Sequence, residues 1–169
     1  AARFDFDGFA ATVATGIRML DNVLEVTAWP LPQQQTEAMN KRRVGLGFTG
    51  LGDALIELGL RYDSAEARAV AAGIAERMRD AAYLASVEIA GEKGPFPLFD
   101  AEQYLAAPRF ASRLPDSIKA AIRTHGIRNS HSLSIAPTGT ISLAFADNAS
   151  NGIEPSFALA LSHDLTSEL

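Results

Sequence analysis

The segment Ile135–Ser142, Ile-Ala-Pro-Thr-Gly-Thr-Ile-Ser, has the residue types that bind a phosphate group. Gly139 lets a backbone approach a ligand closely, and the N–H groups at a following helix start are free donors. Thr138 and Thr140 add hydroxyl groups beside these amides. The segment has no lysine, so it is not a Walker loop. From these residues alone, a phosphate-binding loop and an ordinary capped turn both remain open.

A second glycine pattern, Gly45–Gly50, matches the dinucleotide-binding motif G-x-G-x-x-G. That motif requires a buried strand directly before it, but the polar run Asn40–Arg43 stands there instead. The helix that follows is also succeeded by another helix rather than by a second strand. We therefore interpret these glycines as positions where two backbones pack closely.

The chain contains no cysteine, which excludes disulfides, thiolate metal sites and a cysteine nucleophile within it. Its three histidines, His125, His131 and His163, lack the spacing of metal ligands, and we interpret them as solvated or capping residues. We predict no metal site and no catalytic residue in this sequence.

Composition and charge narrow the function classes further. The 169 residues are 47% hydrophobic and carry a formal charge of -5, which is typical of a soluble globular domain. Basic residues are scattered apart from Lys41–Arg43, so we expect no nucleic-acid partner. No apolar run approaches the roughly 18 residues of a membrane span, and the start lacks a signal-peptide layout. We expect a cytoplasmic protein without a membrane partner.

The hydrophobic periodicity predicts a mostly helical chain with few short strands. Asp63 and Glu66 have the spacing of a capping box for the longest helix, which Gly94 ends, and Pro115 suits a first helical position. Alternation over 130–135 predicts a short strand before the glycine-containing turn. No linker or repeat is visible, so we expect a single unit over residues 1–169. The helices are predicted at 5–27, 33–41, 53–58, 63–92, 102–105, 115–125 and 141–145.

Four blocks in order resemble the catalytic subunit of ribonucleotide reductases. They are Arg42–Leu55, His125–His131, Ser134–Ser142 and Asn151–Pro155, and the likeness runs from about Phe4 to Leu161. The motif Ala-Pro-Thr-Gly-Thr-Ile-Ser is most similar to that of the adenosylcobalamin-dependent class, class II.

The resemblance implies an α/β fold, a ten-stranded barrel of which this chain is the C-terminal part. It implies that Pro137, Thr138, Gly139, Thr140 and Ile141 hold the phosphates of a ribonucleoside di- or triphosphate substrate. It also implies adenosylcobalamin as the cofactor of the intact enzyme, and the remainder of the barrel as a partner. It assigns no chemical role to Asn151–Pro155.

One departure from the family is large, because the family forms a thiyl radical on a cysteine in an Asn-x-Cys-x-Glu loop. A further cysteine pair supplies its electrons, and none of these residues is present here. We therefore expect a piece of a reductase that is inactive alone. Two alternatives remain: a non-catalytic remnant or separate subunit, which predicts exposed apolar patches, and an unrelated phosphate-binding helical module.

Overall fold

The computed structural model describes residues 2–144 and 150–156, and these are mainly helical. Phe145, at the end of a predicted helix, and His163 lie outside the described residues. The helices are α1 Phe6–Val26, α2 Pro32–Lys41, α3 Leu51–Glu57, α4 Ala65–Lys93, α5 Ala101–Leu105, a 3-10 helix Phe110–Arg113, α6 Asp116–His125 and α7 Gly139–Ser142.

Helix α1 forms where the apolar spacing predicts it. The Asp5 carboxylate caps its start by accepting a hydrogen bond from the Gly8 N–H at 3.0 Å. Val13 and Ile17, four residues apart, are buried. The backbone turns extended at Thr27, and two prolines follow within five residues. The predicted helix is confirmed to within one residue at each end.

The start of α4 differs from the predicted capping box. Ser64, not Asp63, caps the helix, because the Ser64 hydroxyl oxygen accepts from the Ala67 N–H at 3.0 Å. The Asp63 carboxylate instead pairs with the Arg61 guanidinium at 2.9 Å. Because the helix begins at Ala65, Ser64 occupies the N-cap position and Asp63 lies one residue before it. Gly94, with a φ of 83°, follows the helix end as expected.

Two boundaries near the middle of the chain also differ from prediction. Pro115 has extended dihedrals and precedes α6, which begins at Asp116. The stretch predicted as loop holds α5, as expected, and the additional 3-10 helix Phe110–Arg113. Short 3-10 turns leave little trace in hydrophobic periodicity because they rarely exceed one turn.

Residue contacts group the chain into two compact units. The helical unit comprises Asp5–Gly47 and Ala72–Ile135. The loop unit comprises the described residues of Ala1–Phe4, Phe48–Ala71 and Ala136–Leu169. Helix α4 contributes residues to both units.

The core of the helical unit lies among α4, α5 and α6. Ile122 and Ile127 are fully buried there, and three rings, Phe96, Phe99 and Tyr104, pack with centroids 5.4 to 6.1 Å apart. Burying branched aliphatic and aromatic side chains is the main stabilising contribution of such a core. The buried members of the cluster are Tyr83, Val87, Phe96, Leu105, Ala111, Leu114, Ile118, Ile122 and Ile127.

The predicted strand appears as an extended segment in the helical unit, paired in parallel with residues 44–46. Leu46 and Leu133 form a parallel bridge. The Val44 N–H donates to His131 O at 2.9 Å, and the Ser134 N–H donates to Leu46 O at 3.0 Å. Within residues 2–144 and 150–156 this bridge does not extend into a named strand. Parallel pairs of this length need neighbouring strands for stability.

The packing interpretation of the glycine run is confirmed beside this pair. A Cβ on Gly47 would lie 2.4 Å from Ser134 O, and one on Gly45 would lie 3.0 Å from the Ser134 Cβ. Gly47 therefore has no room for a side chain and Gly45 has little, so glycine at both positions lets the two backbones approach closely.

A buried polar cluster links the ends of several elements in the helical unit. Asp21 is fully buried, and its carboxylate accepts from Arg42 at 2.8 Å, from Arg128 at 3.3 Å and from the Asn129 amide at 3.0 Å. The Asn129 side chain in turn accepts from the Ser86 hydroxyl at 2.9 Å. Such a cluster ties α1, α4 and the loops after α2 and α6 together.

Candidate functional site

The predicted phosphate loop, Pro137–Ile141, lies on the surface of the loop unit. Thr138 precedes the first residue of α7, and Pro137, Gly139, Thr140 and Ile141 are exposed. Within the described residues, the N–H groups of Gly139, Thr140 and Ile141 make no hydrogen bond. Three adjacent donors therefore face solvent at a helix start.

The hydroxyl of Thr138 is directed at the protein. It donates to the backbone carbonyl of Asn151, and the Thr49 hydroxyl oxygen lies 3.2 Å from it. A hydroxyl has one hydrogen, so this bond uses the donor of Thr138. The exposed Thr140 is then the remaining threonine hydroxyl of the loop that can reach a ligand.

The other end of α7 is held in a similar way. Ser142 is 2% exposed, and its hydroxyl has two acceptors within reach, Gly139 O at 2.8 Å and the side-chain oxygen of Asn151 at 3.1 Å. Its single hydrogen can be donated to either of them. Asn151 therefore contacts residues at both ends of the four-residue helix.

Residues 150–154 form a turn that is itself closed by hydrogen bonds. The Asn151 N–H donates to a Glu154 carboxylate oxygen at 2.8 Å, and the Ser150 hydroxyl donates to Glu154 O at 2.7 Å. The carbonyl of Gly152 accepts from the Gly50 N–H at 2.7 Å. Sequence reasoning left this segment without a role.

The polar groups of the loop segment itself are neutral dipoles. No charged residue occurs between Ser132 and Ala146. From this segment, an anion placed over Gly139–Ile141 would meet backbone N–H groups and the Thr140 hydroxyl. Consecutive N–H groups at a helix start form an anion-binding surface of this kind.

A separate cavity of about 510 Å³ lies in the helical unit and includes none of the predicted phosphate-loop residues. Burial raises the pKa of two of its lining groups, the phenols of Tyr83 and Tyr104. Burial, with a smaller effect of the Arg43 cation, lowers the pKa of the His131 imidazole. These groups therefore stay neutral at pH 7.

Two further observations concern metal ligands and membrane-spanning helices. In the part of the chain that the structure describes, no three His, Cys, Asp or Glu side chains come together as metal ligands. Over the same residues, none of the helices has the length and apolar character needed to cross a membrane.

Comparison with known proteins settles the family. The family model described as "Ribonucleotide reductase, barrel domain" matches residues 1–168. The chain belongs to the ribonucleotide reductase barrel-domain family. The resemblance seen in the four sequence blocks is thereby confirmed, and the family supports an α/β barrel as the fold of the intact enzyme, of which the described residues are a mostly helical part.

Curated relatives of this reductase-family chain come from several organisms. It is 38% identical over 158 residues to a vitamin B12-dependent ribonucleoside-diphosphate reductase of Mycobacterium tuberculosis (strain CDC 1551 / Oshkosh), covering 94% of the chain and 20% of the relative. A protein of the same description from Thermoplasma acidophilum is 34% identical, with 94% and 18% covered. A ribonucleoside-diphosphate reductase large subunit of Arabidopsis thaliana is 29% identical, with 86% and 19% covered. The chain thus spans about one fifth of these relatives' length.

Sequence reasoning missed the residues that hold the predicted loop, namely Thr49, Asn151 and Glu154. They lie about ten to ninety positions from the loop along the chain, and only the fold brings them together. One signal was available, because Asn-Gly followed two residues later by Glu-Pro is typical of a tight turn closed by side chains.

Proposed function

We propose that this chain is part of the barrel of a ribonucleotide reductase, and that its loop Pro137–Ile141 binds the substrate's phosphates. The intact enzyme would convert ribonucleoside di- or triphosphates to 2′-deoxyribonucleotides by radical chemistry. Vitamin B12-dependent relatives support the adenosylcobalamin-dependent type. Both compact units would belong to one barrel domain, since one family model spans them.

The observation that carries the proposal is the open row of N–H donors at Gly139, Thr140 and Ile141. These donors have no partner among the described residues, and α7 is anchored at Thr138 and Ser142. A phosphate can accept several hydrogen bonds from such a row. The anchors reduce the conformational entropy that binding would otherwise cost.

The chemical step would be supplied from outside this chain. Without a cysteine, the chain has no thiol to form a radical or to deliver electrons to a ribose. We therefore propose no catalytic residue here and expect the isolated chain to be inactive. Its contribution is to fix the phosphate end of the substrate, which positions the ribose for groups held elsewhere.

The described residues do not form a cradle for adenosylcobalamin. The cavity in the helical unit, about 510 Å³, has the volume of a small-ligand pocket, whereas a corrin with its axial groups is much larger. We assign the cofactor to the intact enzyme and derive no step through it here.

The proposed partner is the remainder of the reductase barrel. The parallel pair of residues 44–46 and 131–134 is too small to be a stable sheet by itself. Helix α1 also exposes Met19, Val23 and Val26, at 63%, 53% and 82%. These positions share one face, and such apolar stripes mark surfaces that pack against other protein. The remainder of the barrel could cover these surfaces in either of two ways, as part of the same polypeptide or as a separate reductase chain.

Kinetics of a reductase that carries this sequence test the proposal. Thr140→Val removes the available loop hydroxyl while keeping the side-chain shape. We expect the KM for a ribonucleoside diphosphate to rise about ten-fold, with kcat within about two-fold, because hydrogen bonds to charged groups contribute about 1.5–3 kcal/mol. Thr36→Val, an exposed threonine on α2, is the matched control and should change neither constant. An unchanged KM for Thr140→Val would contradict the proposal.

A further inference from the structure

Asn151 and Glu154 lie in a turn to which sequence reasoning assigned no role. We infer that this turn, residues 150–154, positions the phosphate loop: Glu154 fixes Asn151, and Asn151 fixes both ends of α7. The inference rests on the proposed function, since it names residues that act through the phosphate loop rather than on the phosphate.

The first step is the contact between Glu154 and Asn151. One carboxylate oxygen of Glu154 accepts the Asn151 N–H at 2.8 Å, which closes the turn. The other oxygen lies against Gly152, where a Cβ would be 2.8 Å from it, so a larger residue at 152 would push the Glu154 carboxylate out of its position. The turn in this form therefore favours glycine at 152 and uses a side-chain acceptor at 154.

The second step joins Asn151 to α7. Its backbone carbonyl accepts the Thr138 hydroxyl before the helix, and its side-chain oxygen, 3.1 Å from the Ser142 hydroxyl at the helix end, is an acceptor for that hydroxyl in alternation with Gly139 O. The same hypothetical Cβ on Gly152 would lie 3.2 Å from the Thr138 hydroxyl oxygen, so turn and loop are in close contact. A four-residue helix has too few internal hydrogen bonds to hold its own geometry.

The third step is electrostatic. A carboxylate near a phosphate site repels the anion, so its charge does not favour binding, and the contact seen for Glu154 is the hydrogen bond that it accepts from the Asn151 N–H. A positioning role needs the acceptor oxygen of Glu154 but not its charge. Glu154→Gln should therefore preserve phosphate binding, whereas Glu154→Ala should lose the turn.

The test is a titration of the ¹⁵N-labelled chain with inorganic pyrophosphate, following the amides of Gly139, Thr140 and Ile141. We expect Glu154→Ala to weaken binding about ten-fold and Glu154→Gln to bind within about two-fold of the parent chain. Glu57→Ala is the matched control, because Glu57 is an exposed carboxylate of the same unit at the end of α3. Its affinity should be unchanged.

The outcomes separate this inference from the proposed function. No pyrophosphate shifts at the loop of the parent chain would overturn both. Binding by the parent and equal binding by Glu154→Ala would overturn the positioning role alone. A loss of amide dispersion for α3 would show that Glu154→Ala has unfolded the loop unit. In that case Asn151→Ala tests the positioning role, because it keeps the backbone carbonyl and removes only the side-chain contact with Ser142. An affinity loss of about three-fold is expected there, and an unchanged affinity would reject the inference.

Discussion

Two adjacent arginines, Arg42 and Arg43, have opposite environments in the helical unit. Arg42 is 3% exposed and bonded to the buried Asp21, whereas the side chain of Arg43 is 52% exposed and pairs with Glu37 at the surface. Removing one partner of a buried ion pair leaves the other charge without compensation, while surface pairs contribute little. Position in the fold, not residue type, therefore determines their effect on stability.

We predict that Arg42→Met lowers the free energy of unfolding by about 3 kcal/mol, the low end for a broken buried ion pair, because Asp21 would lose its shortest cation contact but keep those with Arg128 and Asn129. Arg43→Met, the matched control one residue away, should change it by less than about 1 kcal/mol. Urea denaturation followed by circular dichroism measures both. Equal losses for the two variants would show that the buried cluster does not stabilise the unit.

The sequence contained a signal for this cluster that hydrophobic periodicity alone does not report. Val13, Ile17 and Asp21 follow one another at intervals of four on α1, and all three are buried. An acidic residue that continues an apolar stripe predicts a buried carboxylate. Its partners Arg42 and Arg128 could not be chosen from the sequence, because their contacts with Asp21 span 21 and 107 positions.

At the scale of elements, local patterns predicted the helices well and their caps less well. Apolar spacing located α1 and α4, since a helix stripe depends on residues close in sequence. The N-cap of α4 is Ser64 rather than the predicted Asp63, since the helix begins one residue later than a cap at Asp63 requires. The phosphate loop was found from its residue types, but the turn that contacts it required the tertiary structure.

Two glycines differ in why they are glycine: one is required by close packing, and the other only lowers helix propensity. Gly47 lies against Ser134 O in the parallel pair, whereas a Cβ added to Gly91 in α4 would have no side chain or other element within 4 Å. The first position excludes a methyl group for steric reasons. The second has room for one.

We predict opposite signs for two identical substitutions. Gly47→Ala should destabilise the chain by about 1–3 kcal/mol, because its Cβ would overlap a backbone oxygen that cannot rotate away. Gly91→Ala should stabilise it by about 0.5–1 kcal/mol through helix propensity. Thermal unfolding of both variants provides the comparison. A Gly47→Ala chain as stable as the parent would contradict the close backbone packing.

At the scale of the whole molecule, charge distinguishes an amide-based phosphate site from a cationic one. The chain carries a formal charge of -5, and its loop region from Ser132 to Ala146 has no charged residue. A site built from lysine or arginine loses affinity steeply with salt, because screening weakens its attraction. Neutral dipoles at short range are screened far less.

We therefore predict that pyrophosphate affinity changes by less than about two-fold between 20 and 200 mM sodium chloride, values that span a large change in Debye length. Repulsion from the net negative charge would, if anything, make binding tighter as salt rises. Isothermal titration calorimetry at the two salt concentrations measures this. A ten-fold loss of affinity would mean that arginine or lysine side chains, not the loop amides, hold the phosphate.

The central claim is that residues 137–141 form the substrate-phosphate loop of a reductase barrel. Its most direct test is an NMR titration of the ¹⁵N-labelled chain with a ribonucleoside diphosphate such as ADP. We expect saturable shifts confined to Thr138–Ser142 and competition by pyrophosphate at the same amides. Saturable shifts elsewhere, with the Gly139, Thr140 and Ile141 amides unmoved, would contradict it.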